Sequence, residues 1–168
     1  MRMSQTKKFV FVTMLSAMAI SLNVFESMFI GSFTFGIRIG LANIIALITI
    51  EMFDVKDMLV VNIMRVFIGN ILRGLIFGST FWIALGGVVL SSISLIITHK
   101  LKSSIIFSSI VCSISHSIGQ VLVVIFFYQQ VGMFAIVPYL LIGSIPMGVL
   151  TGIVGKQALV LINKNVKV

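Results

Sequence analysis

The sequence predicts an all-α integral membrane protein, a compact bundle of six transmembrane helices forming one domain over residues 1–168, with both termini cytoplasmic. Three observations lead there. Apolar residues make up 59% of the chain and charged residues 10%, with a mean hydropathy of +1.22, which excludes a soluble globular domain. The apolar residues fall in long runs without the period-two alternation of a membrane barrel. The lysines and arginines, behind a net charge of +8, gather at the ends and between the runs rather than along one polar face. They therefore report topology, not nucleic-acid binding.

The first span, residues 9–28, follows the basic segment Arg2, Lys7 and Lys8. Ala17-Met18-Ala19 resembles a cleavage site, but apolar runs continue down the chain, so an uncleaved helix is the simpler reading. The second span, 37–53, is short for a bilayer and ends where Glu51, Asp54, Lys56 and Asp57 mark an aqueous boundary. The remaining spans are 58–77, 81–98, 105–127 and 133–162. If the second is re-entrant, the count falls to five. With the N-terminus inside, the cytoplasmic segments hold Arg2, Lys7, Lys8, Lys56, Lys100, Lys102, Lys156, Lys164 and Lys167. Only Arg38, Arg65 and Arg73 fall elsewhere, and an even number of spans returns the lysine-bearing tail to the cytoplasm.

Small residues recur four apart on three helices: Thr13, Ala17 and Ser21; Gly87 and Ser91; Ser144, Gly148 and Gly152. Such spacing lets backbones approach closely in lipid. Packing inside the bundle is the simpler reading of each stripe, and docking of a separate membrane protein on Thr13, Ala17 and Ser21 is the sharper one. Pro146 is expected to kink the last helix.

Polar groups inside spans are costly and usually face the bundle interior. Asn62, Arg65, Gly69 and Arg73 share one stripe of the third helix, and Ser109, Ser113, His116 and Gln120 one stripe of the fifth. The two stripes suggest a shared cavity. A rise of about 1.5 Å per residue puts Arg73, His116 and Gln120 in the outer half with Arg38 and Glu26, and these five are the candidate substrate-binding residues. Arg73 and Arg38 could instead snorkel to the outer interface. Asn62 and Arg65 read as structural polar groups, with Arg65 pairing with second-span carbonyls or Glu51. Cys112 is the single cysteine, and no Cys/His spacing suits a metal or a disulfide. No Gly-x-x-x-x-Gly-Lys-Ser/Thr loop is present, and Asp54 and Asp57 are too few for magnesium-assisted prenyl-diphosphate chemistry.

Four segments then become specific: Ile37-Arg38-Ile39-Gly40-Leu41-Ala42-Asn43-Ile44, Met64-Arg65-Val66-Phe67-Ile68-Gly69-Asn70, Ala84-Leu85-Gly86-Gly87, and Ser115-His116-Ser117-Ile118-Gly119-Gln120. In that order they resemble the Gx transporter family over about residues 9 to 155. Its members are often labelled heptaprenyl diphosphate synthase component I, and it is similar to the S components of energy-coupling-factor transporters. The resemblance implies a six-helix bundle whose outer half holds a small organic molecule under a lid, here about residues 27–36. It also implies docking through a small-residue face on the first helix to a membrane coupling subunit driven by ATPases. Thr13 and Ser21 depart from that face's Ala-x-x-x-Ala form. The expectation is a non-enzymatic, cofactor-free subunit of the bacterial cytoplasmic membrane that takes up a small organic nutrient or cofactor precursor, with a bias toward anionic ligands. The alternative is a non-catalytic membrane accessory subunit of an isoprenoid or quinone pathway.

Overall fold

The computed structural model describes residues 4–30, 40–129 and 131–165. Among the described residues six α-helices carry the fold: α1 Gln5–Phe25, α2 Leu41–Met52, α3 Val55–Leu72, α4 Ser79–Lys100, α5 Ile105–Tyr128 and α6 Val137–Asn165. A π-helical turn, Glu26–Ile30, extends α1, and a 3₁₀ turn, Val131–Ile136, leads into α6. No strand occurs among the described residues. Among the described residues four segments are long and apolar enough to cross a membrane: Gln5–Met28, Ser79–Lys100, Ile105–Tyr128 and Phe134–Ile162. Helix α3 has the length but carries Lys56, Asp57 and Arg65.

Helix boundaries follow local chemistry. Ser4 and Ser104 begin α1 and α5 by accepting bonds from the backbone N–H of Lys7 and Phe107. Helix α3 ends sooner than residue 77 because Gly74 takes a left-handed φ of 66°. Gly74 N–H then bonds Ile71 C=O and Leu75 N–H bonds Asn70 C=O, the paired bonds of a Schellman closure.

Helix α2 is the hub. Its 12 residues span about 18 Å, short of the ~30 Å hydrocarbon core. Every residue from Ile44 to Ile50 is buried, because α2 packs against all five other helices. Around it α3, α4, α5 and α6 follow in contact, with α1 against α3 and α2. One apolar cluster joins Leu15, Ala19, Ile44, Ile45, Ile48, Val61 and Leu159; a second joins Ala46, Leu47, Ile50, Met58 and Leu95. The outer faces are apolar instead, with Phe9, Ile63, Ile97, Phe126, Tyr139 and Ile142 more than half exposed. A surface of this kind, over helices of this length, belongs in a bilayer. The chain is a membrane protein.

Two of the three small-residue stripes lie inside the bundle. A Cβ on Gly148 or Gly152 would stand 2.7 or 2.9 Å from the Cα of Ile110 or Ile106 of α5. One on Gly87 would meet Gln120 Cγ at 2.8 Å and His116 Cε1 at 2.9 Å. The tightest crossing is Gly119 on Gly86, where an added Cβ would land on the Gly86 carbonyl oxygen. Thr13, Ala17 and Ser21, by contrast, are exposed.

Gly119→Ala should therefore force α4 and α5 apart and destabilise the protein by about 1–3 kcal/mol, as overpacking does. Gly132→Ala, where a Cβ meets nothing within 4 Å, should be near neutral. Thermal unfolding of both variants in the same detergent checks the contrast.

Candidate functional site

Above α2 the interior turns polar. Arg65, 1% exposed, lies about 15 Å along α3 from Val55, near the middle of that helix. Its Nη1 donates to Asn43 Oδ1 in the first turn of α2 at 3.0 Å. One turn back, Asn62 Nδ2 donates to Ser92 Oγ of α4 at 2.8 Å and contacts Met58 Sδ at 3.2 Å. Asn62 Oδ1 is buried without a hydrogen-bond partner. On α4 the adjacent Ser91 Oγ lies 3.4 Å from His116 Nδ1 of α5. Consecutive helical residues point about 100° apart, so Ser92 serves α3 while Ser91 serves α5. A further bond runs from Ser94 to Ser115, 2.6 Å. Buried Cys112 has Ser91 and Arg65 as neighbours.

The two sequence-predicted stripes thus meet by way of α4. The stripe on α5 divides. Ser109 bonds Thr151 at 2.9 Å and Ser113 donates to Ser144 C=O at 3.0 Å, both on α6. His116 and Gln120 lie together over Gly87 of α4. Gln120 Nε2 is withdrawn from solvent with no hydrogen-bond partner.

The other candidate residues sort differently. Glu26 is 5% exposed, and its Oε1 accepts from Gly40 N–H at 2.6 Å. Gly40 is the N-cap of α2, with a left-handed φ of 78° that favours glycine. A carboxylate there satisfies an open N–H and complements the positive end of the helix dipole. Arg73, at the α3 C-cap, donates through Nη2 to Asn70 Oδ1 at 2.7 Å and through Nε to Gly69 C=O at 3.1 Å, within its own helix. Arg38 and residues 31–36 of the expected lid lie outside the described residues. Arg65 has the Asn43 side chain as a partner on α2, whereas Glu51, about 12 Å further along α2, pairs with His99 at 3.1 Å. Sequence reasoning passed over Asn43 as a site residue, and also Ser91, Ser92 and Asn70. Asn43 carried a signal: with Thr49 it is the only polar side chain between Leu41 and Ile50.

Thr13 and Ala17 line a groove of about 710 Å³ between α1 and α3, with Phe9, Val12, Met64 and Ile68 among its walls. The ion pair Lys8–Asp57, 2.7 Å, closes its end. Thr13 Oγ1 and Ser16 Oγ donate back to the carbonyls of Phe9 and Val12, so α1 satisfies both hydroxyls itself.

Arg65→Ala removes the partner of Asn43 in a buried layer and should lower stability by about 1–3 kcal/mol. Arg73→Ala, losing bonds made within its own helix at a half-buried position, should stay within about 0.5 kcal/mol of the unaltered protein. Unfolding midpoints in detergent decide between the two sites.

Comparison with known proteins bears on the whole of this architecture. Residues 15–159 match the family model described as heptaprenyl diphosphate synthase component I, a stretch running from the middle of α1 to near the end of α6. No curated protein and no solved structure matches the chain. With its polar interior layer and buried α2 inside the matched residues, the chain belongs to the heptaprenyl diphosphate synthase component I family.

Proposed function

We propose that the chain is a membrane-embedded substrate-binding subunit that takes up a small organic nutrient or cofactor precursor, in the manner of the energy-coupling-factor S components. One observation carries this reading: Asn62 Oδ1 and Gln120 Nε2, an acceptor and a donor, are both buried without hydrogen-bond partners beside the layer that holds Arg65 and His116. Each such group is worth about 1–3 kcal/mol when a partner arrives, so a polar molecule is the natural complement. Excess arginine favours a ligand with a carboxylate or phosphate, and the apolar surroundings favour a ring or hydrocarbon body. His116 and Gln120 are the ligand contacts in this reading, with Arg73 and Arg38 toward the outside. Glu26 holds the start of α2.

The lysine distribution supports six spans with cytoplasmic termini, and the resemblance to energy-coupling-factor S components supports a bacterial cytoplasmic membrane. Energy for uptake comes from elsewhere, since the sequence has no phosphate-binding loop. The exposed Thr13, Ala17 and Ser21 stripe, with the groove beside it, supports docking of a coupling subunit that works with ATPases. The family description favours a second reading, a non-catalytic membrane component acting beside a soluble prenyl diphosphate synthase. Catalysis by the chain itself has little to draw on: Asp57 pairs with Lys8, and Asp54 stands at the start of α3.

Native mass spectrometry of the gently solubilised protein should reveal a retained small molecule, lost in Gln120→Leu while the fold persists. Ala17→Leu should retain that molecule and block uptake in cells. Retention by neither form, together with co-purification of a prenyl diphosphate synthase, would replace transport by the accessory role. Turnover of prenyl donors with magnesium by the purified chain alone would overturn both.

A further inference from the structure

Helices α5 and α6 run antiparallel in a register set by their small residues: Gly148 faces Ile110 and Gly152 faces Ile106. One turn further along α6, about 6 Å, Lys156 comes level with the α4–α5 connection that carries Lys102. There the two helices border a groove of about 600 Å³ lined by Ile106, Ile153, Lys156, Gln157, Val160 and Leu161. Four of the six are aliphatic, and the polar pair is a cation beside an amide.

The charge around this groove is unbalanced. All four acidic residues of the chain have other places: Glu26 on Gly40, Glu51 with His99, Asp57 with Lys8, and Asp54 at the α3 N-cap. Among the described residues, Lys100, Lys102, Lys156 and Lys164 have no carboxylate within ion-pair distance. No described carboxylate is left to neutralise them. A second groove, between α4 and α5, is lined by Trp82, Leu85, Val89, Phe126 and Phe127 and similar groups and has no cation, so it offers nothing to tell one lipid from another.

We propose that the α5–α6 groove binds an anionic phospholipid, with the phosphate on Lys156 and Gln157 and an acyl chain along Ile106, Ile153, Val160 and Leu161. Lys156 supplies the charge and Gln157 a hydrogen-bond donor to a phosphate oxygen. The aliphatic wall fixes the chain beside a headgroup that the cations select, the combination by which basic pockets between transmembrane helices recognise lipids.

The test uses the full chain in detergent, titrated with phosphatidylglycerol or phosphatidylcholine of identical acyl chains and followed by native mass spectrometry. Phosphatidylglycerol should be retained about fivefold more than phosphatidylcholine, the preference expected of one cation at a membrane surface. Lys156→Ala should abolish the preference and Lys156→Arg preserve it. Lys156 is exposed, so the alanine variant is expected to fold, and its unfolding midpoint verifies this. Ile153→Trp, which narrows the wall without altering charge, should reduce retention of both lipids. Equal retention of the two lipids by the unaltered chain overturns the proposal, as does a preference that survives Lys156→Ala. Stronger retention of farnesyl diphosphate than of phosphatidylglycerol also overturns the assignment to a phospholipid.

Discussion

Glu26 accepts a hydrogen bond from the N–H of Gly40, and the rest of the bundle is arranged around the helix that this contact starts. A 12-residue helix is shorter than the hydrocarbon core, so α2 is sheathed by longer helices and held at its first turn. The buried carboxylate meets a helix N-terminus that would otherwise carry an open donor, and Arg65 bonds Asn43 three residues further on. Together these contacts tie the end of α1 and the middle of α3 to one level of α2.

From that level the interior divides. Toward the lysine-rich end, α2 supplies isoleucine, leucine and alanine to the two apolar clusters, and its buried polar side chain there is Thr49, whose hydroxyl bonds Ile45 C=O. At the level of the α2 start, polar side chains from α3, α4 and α5 reach one another through Ser91 and Ser92. Much of the buried polarity that links α2, α3, α4 and α5 thus gathers in a layer at the middle of the helices, where a polar group has no water and depends on other helices or a ligand for partners.

Small residues acquire different roles according to what stands opposite. Gly119 and Gly86 bring α4 and α5 into backbone contact, and Gly148 and Gly152 do so for α5 and α6. Thr13, Ala17 and Ser21 have the same spacing and face outward. Spacing alone shows that a close approach is available; the position of neighbouring helices decides whether it is used within the chain.

The sequence by itself determined the helical class, the membrane solvent and the family, because hydropathy and run length are local properties. It also marked Asn62 and Arg65 as interior groups, since a charge or amide within an apolar run has no stable place facing lipid. It left the partners open. That Glu26 caps α2, that Arg65 meets Asn43 instead of Glu51, and that the α5 stripe splits between α4 and α6 all depend on which helix faces which. Helical periodicity fixes a residue's direction relative to its own axis, while only tertiary packing fixes each axis relative to the others. Gln120 and Asn62 show the same division: both read as polar from sequence, and only the packed bundle reveals which of their atoms lack partners.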